Sequence, residues 1–123
     1  MTNDNKITSI KYFTALVSGK YDPNQPIRQK TYLRALETYI PEIKIYYGHF
    51  LTNAVKATLV EPIHGIKVAR IIKTEEKGSD VNLASHFLSD AWLDKYECAV
   101  IVSNDSDLAE AMHLVKMYKI RNS

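Results

Sequence analysis

Two stretches of the sequence place carboxylates directly after apolar, strand-like runs. The first extends from Ile71 to Asp80, and the second extends from Ala99 to Asp107. In open parallel sheets, ligands bind where strands end and loops lead into helices. If the two runs are neighbouring parallel strands, Asp80, Asp105 and Asp107 converge at one edge of the sheet.

This set of side chains suits a metal ion that prefers oxygen ligands. Clustered carboxylates without histidine or cysteine partners favour a hard cation such as Mg²⁺ or Mn²⁺. Such an ion lowers the pKa of a bound water and neutralises charge that develops on a phosphate. Lys73 and Lys77 lie close by in the sequence and are candidates to hold phosphates or RNA as flexible point charges.

The same carboxylates have a second interpretation, because they stand where helices are predicted to begin. Acceptor side chains there cap free N–H groups, and negative charge favours the positive end of the helix dipole. For any single residue, capping is the more common role. Asp105 and Asp107 together favour a cation, because one cap does not need two carboxylates and pooled negative charge is repulsive without a counterion. From the residues alone, both interpretations stay open.

The elements that must position these residues alternate between strand-like and helix-like patterns. The predicted strands are residues 7–17, 43–51, 54–60, 66–72 and 98–102. The predicted helices are residues 27–40, 80–95 and 108–118. Residues 54–60 and 66–72 flank a turn-like segment and are expected to form a hairpin or an insertion on one rim. The order indicates an α/β fold with a mostly parallel sheet flanked by helices.

The strand at residues 98–102 is wholly apolar, as is typical of a strand covered on both faces. Its Cys98 is therefore expected to be an inert thiol in the core. Since the sequence contains one cysteine, an intramolecular disulfide and a thiolate zinc site are excluded. The cytoplasm is the expected compartment.

Composition limits the remaining possibilities. A chain of 123 residues with 46% hydrophobic and 24% charged residues is expected to form one folded domain with one core. No apolar run reaches the roughly 18 residues of a membrane-spanning helix, so no membrane partner is expected. The net charge of +2 permits a nucleic-acid partner without arguing for one. Asp90 is predicted to be a solvated helix residue.

The two acidic junctions together resemble the NYN branch of the PIN-like nuclease superfamily. The matching segments are residues 77–84, KGSDVNLA, and residues 100–108, VIVSNDSDL. The resemblance extends from about residue 7 to residue 115. It implies a Rossmann-like sheet, metal-dependent hydrolysis of RNA phosphodiesters, and RNA as a partner.

The resemblance also implies roles for individual residues. Asp80, Asp105 and Asp107 match the acidic positions that hold Mg²⁺ or Mn²⁺ and carry catalysis. Ser103 and Asn104 match the turn that supports them.

The sequence departs from the family pattern at both ends. The family's first strand carries an early aspartate in an Asp-Gly-x-Asn context, and the printed sequence has no such segment. A closing strand after the last helix is also missing. We therefore expect one domain over residues 1–123 that lacks its opening and final strands. Unpaired strand edges would then favour a homodimer or completion by another chain.

Three functions are compatible with these features. The first is a Mg²⁺- or Mn²⁺-dependent endoribonuclease, and the second is a weakened or inactive remnant that binds RNA or protein. The third is a sugar transferase or a dehalogenase-like phosphatase, since both also place Asp-x-Asp after an apolar strand. Dehalogenase-like enzymes carry that motif on the first strand, and sugar transferases need a longer chain. The sequence favours the ribonuclease.

Overall fold

Three strands and three α-helices make up most of the part of the chain that the computed structural model describes, residues 5–103 and 105–121. The strands are β1 (Ile10–Leu16), β2 (Ile43–Ile63) and β3 (Ile66–Lys77). The helices are α1 (Gln25–Tyr39), α2 (Ser79–Trp92) and α3 (Ala109–Arg121), the last preceded by a 3₁₀ turn (Ser106–Leu108). The predicted α/β class is confirmed.

The sheet is mixed, which differs from the mostly parallel arrangement expected from the sequence. Its strand order is β1-β2-β3. β1 pairs with the first part of β2 in parallel, from Ile10 opposite Ile43 to Leu16 opposite His49. β2 and β3 are antiparallel. The predicted strands at 43–51 and 54–60 form one continuous strand, β2. A hairpin turn then connects β2 to β3.

The turn of that hairpin consists of two residues, His64 and Gly65. Both have positive φ, 49° and 78° respectively. Two-residue turns with positive φ at both positions match the right-handed twist of the strands they join. The predicted hairpin is therefore confirmed, and it is longer than expected. Because β1 covers only residues 43–49 of β2, the hairpin continues beyond β1 as a two-stranded ribbon, residues 50–76.

Helix α2 packs on the face of the sheet that carries Phe13 and Tyr46. The His86 ring on α2 lies 4.2 Å from the ring of Tyr46 and 5.3 Å from the ring of Phe13. Next to this cluster, Lys11 Nζ donates to Asp90 Oδ2 at 2.5 Å, and the Asp90 side chain is only 13% exposed. The prediction of a solvated Asp90 is wrong. A charge-assisted hydrogen bond of this kind contributes about 1.5–3 kcal/mol to stability.

Residues 98–102 do not form the predicted strand. Val100 and Val102 are 74% and 91% exposed, and Cys98 is also exposed. The expectations of a covered strand and of a core thiol at Cys98 are therefore both wrong. A strand needs a neighbour for its backbone groups, and in the described part of the chain β1 has a neighbour only on its β2 side. The apolar composition indicated a strand, but it did not show whether a neighbouring strand was available for pairing.

The buried core is small and lies mainly between the last two helices. Ala91 on α2 is buried, as are Leu108, Ala111 and Val115 at the start of α3 and along it. These buried side chains pack α2 against α3. Within the described residues, no helix is both long and apolar enough to cross a membrane.

Candidate active site

Asp80 is positioned by a sharp change of direction between β3 and α2. β3 ends at Lys77, and Gly78 follows with φ of 94°, a left-handed conformation that glycine adopts without strain. α2 then begins at Ser79, so Asp80 lies in its first turn. A carboxylate there is stabilised by the helix dipole. The strand-to-helix junction predicted from the sequence is therefore present.

Asp105 is held in place by hydrogen bonds on both sides. Its backbone N–H donates to Ser103 Oγ at 3.0 Å, and its Oδ1 accepts from the Asp107 backbone N–H at 2.9 Å. Asp105 is thus the cap of the 3₁₀ turn, as the capping interpretation proposed. Ser103 lies where the resemblance placed a supporting residue. Asn104 lies outside the described residues.

Asp80 and Asp105 come together although they are 25 positions apart in the sequence. The nearby Asp105 side chain raises the pKa of Asp80 above its ordinary value, chiefly through hydrogen bonding. Partial burial and the negative charges of Asp105, Glu76 and Asp107 act in the same direction. Two carboxyl groups in such contact must share a proton, or a cation must take its place.

This pair fits a hard divalent cation by the chemistry of its donors, which are all carboxylate oxygens. In the arrangement seen, no group of three histidine, cysteine, aspartate or glutamate side chains within residues 5–103 and 105–121 could hold a metal ion together. Asp80 and Asp105 are the two carboxylates that could ligate such an ion together. Asp107 lies within electrostatic range of Asp80, a position from which water-mediated contact suits Mg²⁺, which keeps several waters.

Lys73 and Lys77, the two residues predicted to bind phosphate, both form ion pairs with Glu75. Lys73 Nζ lies 2.9 Å from Glu75 Oε1, and Lys77 Nζ lies 3.4 Å from Glu75 Oε2. The two lysines lower the pKa of Glu75 by hydrogen bonding and by their charge, Lys73 more strongly. Alternation along β3 puts all three on the face opposite Glu76. All three side chains are substantially exposed, so these pairs are weak and can rearrange.

Three residues near the carboxylates were missed by the sequence reasoning. Glu76 adds negative charge next to Asp80, and the buried Ser79 Oγ has no hydrogen-bond partner among the described residues. Gly48 on β2 lies directly under the β3–α2 junction, where an added Cβ would be 2.2 Å from Lys77 O. A glycine inside a strand is a usable signal for such a close approach. No sequence pattern singles out Ser79 beyond its place at a helix start.

The contact between Asp80 and Asp105 predicts a pH effect on stability. Because the pKa of Asp80 is raised, the folded protein binds this proton more tightly than the unfolded chain does. The Asp80 proton therefore stabilises the folded protein fully below about pH 3.8, the ordinary pKa. This stabilisation is lost as the pH rises through the raised pKa. The variant Asp80→Asn lacks this proton. Its melting temperature relative to wild type is expected to rise between about pH 3 and pH 7 without divalent cations.

Thermal unfolding in chelator-treated buffer across this range measures the effect. Titrating groups distant from Asp80 are common to both proteins, so their contributions cancel in the difference. A difference that does not vary with pH would contradict the contact.

Comparison with known proteins shows the family to which the chain belongs. Residues 7–122 match the family model of the NYN domain. The chain is also 34% identical over 122 residues to 6-hydroxy-3-succinoylpyridine 3-monooxygenase HspA from Pseudomonas putida. That alignment covers 89% of this chain and 38% of the relative, so the chain spans well under half of the relative's length. No solved structure matches significantly. Because the family model covers almost the whole chain, the chain belongs to the NYN domain family, within the PIN-like nuclease superfamily.

Proposed function

We propose that this chain is a Mg²⁺- or Mn²⁺-dependent endoribonuclease that hydrolyses RNA phosphodiester bonds. The observation that carries the proposal is the contact between Asp80 and Asp105, which unites the two acidic junctions. Membership of a nuclease-type superfamily supports it independently. The reducing cytoplasm is the proposed compartment, in line with the low cysteine content.

Each residue has a specific part in the proposed site. Asp80 and Asp105 would hold the cation, and Asp107 would orient the attacking water or the RNA. Ser103 braces Asp105 through the hydrogen bond to its backbone. The ion, when bound, supplies Lewis acidity and charge neutralisation at the phosphate. Lys73 and Lys77 can bind phosphate once they exchange Glu75 for RNA, an exchange that their exposure allows.

The second candidate is a catalytically weak or inactive domain that binds RNA or protein. It is favoured by the finding that no three possible ligands within the described residues are grouped tightly enough for one metal. The monooxygenase activity in the relative's name belongs to a protein of which this chain covers 38%. An all-carboxylate site favours phosphodiester hydrolysis over that activity for this chain.

Association with a second copy, or completion by another chain, is the proposed partnership beyond RNA. β1 has an open edge within the described residues, and the apolar segment 98–102 is exposed except for the half-buried Ile101. Unpaired edges with apolar side chains promote strand pairing between chains. A hydrodynamic mass equal to one chain at micromolar concentration would argue against it.

Cleavage of an end-labelled single-stranded RNA tests the proposed function. The wild-type protein is expected to cut the RNA internally in Mn²⁺ and to stop when EDTA is added. Asp80→Asn is expected to remain folded and inactive, because an amide replaces a charged ligand. Cleavage that persists in EDTA, or that Asp80→Asn leaves unchanged, would contradict the proposal. Metal-independent RNA binding without cleavage would support the second candidate.

A further inference from the structure

The ribbon, residues 50–76, carries two cations directly opposite each other. In the antiparallel register, Lys56 on β2 faces Arg70 on β3. Directly opposed side chains point to the same face, with Cβ atoms about 4.5–5.5 Å apart. Both side chains are exposed. Like charges in this position repel each other, so the pair opposes the stability of the ribbon.

No carboxylate in the described residues compensates this pair. Neither Lys56 nor Arg70 takes part in any ion pair there, whereas Lys73 and Lys77 both contact Glu75. Two uncompensated cations held side by side form a site for an anion that lies outside the chain. The arrangement fits the charge and spacing of a nucleic-acid backbone.

The same face of the ribbon leads to the candidate active site. Moving from the cation pair towards α2, the cross-strand pairs on this face are Ala54 with Ile72, Thr52 with Thr74 and Phe50 with Glu76. Glu76 acts electrostatically on Asp80, so the face ends at the carboxylates. Arg70 and Glu76 are six positions apart in one strand. That separation corresponds to about 20 Å.

The surface between the two ends can accept unpaired bases. A cavity of about 360 Å³ opens there and is lined in part by Tyr21, Phe50 and Ile72. Tyr21 is 52% exposed and Ile72 is 58% exposed. Aromatic side chains beside a cationic track are the usual elements of single-strand binding, because every base has a face that stacks. In a duplex those base faces are already stacked on each other.

We propose that Lys56 and Arg70 bind backbone phosphates of single-stranded RNA that lies along this face of the ribbon and reaches Asp80 and Asp105. The proposal rests on RNA being the substrate of the proposed function. It adds the direction from which the substrate enters and the single-stranded state in which it is bound. A symmetric contact between two ribbons through this face would instead bring four cations together, which disfavours a second copy as the occupant.

RNA binding in EDTA, measured by fluorescence anisotropy at several salt concentrations, tests the proposal. The probe is a labelled 12-nucleotide single strand without secondary structure. Lys56→Gln and Arg70→Gln are each expected to weaken binding and to reduce the slope of log K against log salt by about 0.7, and the double variant by about 1.4. The matched control is Lys67→Gln, because Lys67 is an exposed cation of the same strand that alternation places on the other face.

The outcomes separate this proposal from the proposed function. An equal loss with Lys67→Gln, unchanged binding in the double variant, or a change of oligomeric state in the double variant would each overturn the ribbon site. Cleavage that depends on Asp80 with unchanged RNA binding in the double variant would leave the nuclease standing without this site. Ribbon-dependent binding without cleavage in Mn²⁺ would support the site and reject the nuclease. Removing a repulsive pair should not impair folding, so the circular dichroism spectrum is expected to match wild type and the melting temperature to equal or exceed it.

Discussion

Replacing Asp105 and Asp107 together with asparagine is expected to reduce RNA cleavage in Mn²⁺ by at least about 100-fold, the effect of losing one preorganised electrostatic group in an active site. Asp105 contacts Asp80 directly, and Asp107 contributes charge to the same site. The folded state should survive, because asparagine also accepts the hydrogen bond from residue 107 that caps the 3₁₀ turn. Cleavage rate and melting temperature, measured on the same samples, distinguish a lost site from a lost fold.

Asp94→Asn is the matched control for this double variant. Asp94 is an exposed aspartate that pairs with Lys119 at 2.8 Å, and asparagine tolerates its positive φ of 56°. The same chemical change there is expected to leave cleavage unaffected. Comparable losses in Asp94→Asn and in the double variant would indicate a general effect of charge. Full activity in the double variant would contradict a catalytic role for the pair.

Gly48→Ala is expected to destabilise the protein by about 3 kcal/mol or more, at the upper end of overpacking effects. A Cβ at this position would lie 2.2 Å from Lys77 O and 2.9 Å from Ser79 N. Both atoms belong to the backbone that turns β3 into α2, so neither can move aside without displacing Asp80. Urea unfolding gives the loss in stability, and the affinity for Mn²⁺ should fall with it.

Gly65→Ala provides the comparison for the glycine variant. Nothing lies within 4 Å of an added Cβ at Gly65, but φ is 78°. The left-handed conformation alone costs about 1–2 kcal/mol for a residue with a Cβ. Gly48→Ala should therefore be clearly the more damaging of the two. A smaller effect at Gly48 than at Gly65 would show that the β3–α2 junction accommodates a Cβ without strain.

The sequence predicted those parts of the structure that depend on local patterns. Apolar spacing located the helices to within a few residues, and the strand-to-helix order indicated the α/β class. Asp80 and Asp105 were expected to meet at the ends of two parallel strands; the two side chains interact, although residues 98–102 form no strand. Capping and cation binding were treated as alternatives, whereas Asp105 caps a turn and faces Asp80 at the same time.

The failures concern contacts between distant parts of the chain. Residues 98–102 have the composition of a buried strand, but composition does not reveal whether a neighbouring strand exists. The ion pair of Asp90 with Lys11 joins residues 79 positions apart, and no helical pattern indicates it. The opposition of Lys56 and Arg70 depends on the register of the hairpin, which shifts between Thr58 and Ile63, and no sequence pattern indicates that shift.

Isothermal titration of the wild-type protein with Mn²⁺ tests the central claim, a divalent-cation site at Asp80 and Asp105, most directly. The site predicts saturable binding of about one ion per chain and its loss in the Asp105→Asn/Asp107→Asn double variant. Asp94→Asn should bind as wild type does. An absence of saturable heat in the wild-type protein, or undiminished binding in the double variant, would contradict the claim and leave Asp105 as the cap of a turn.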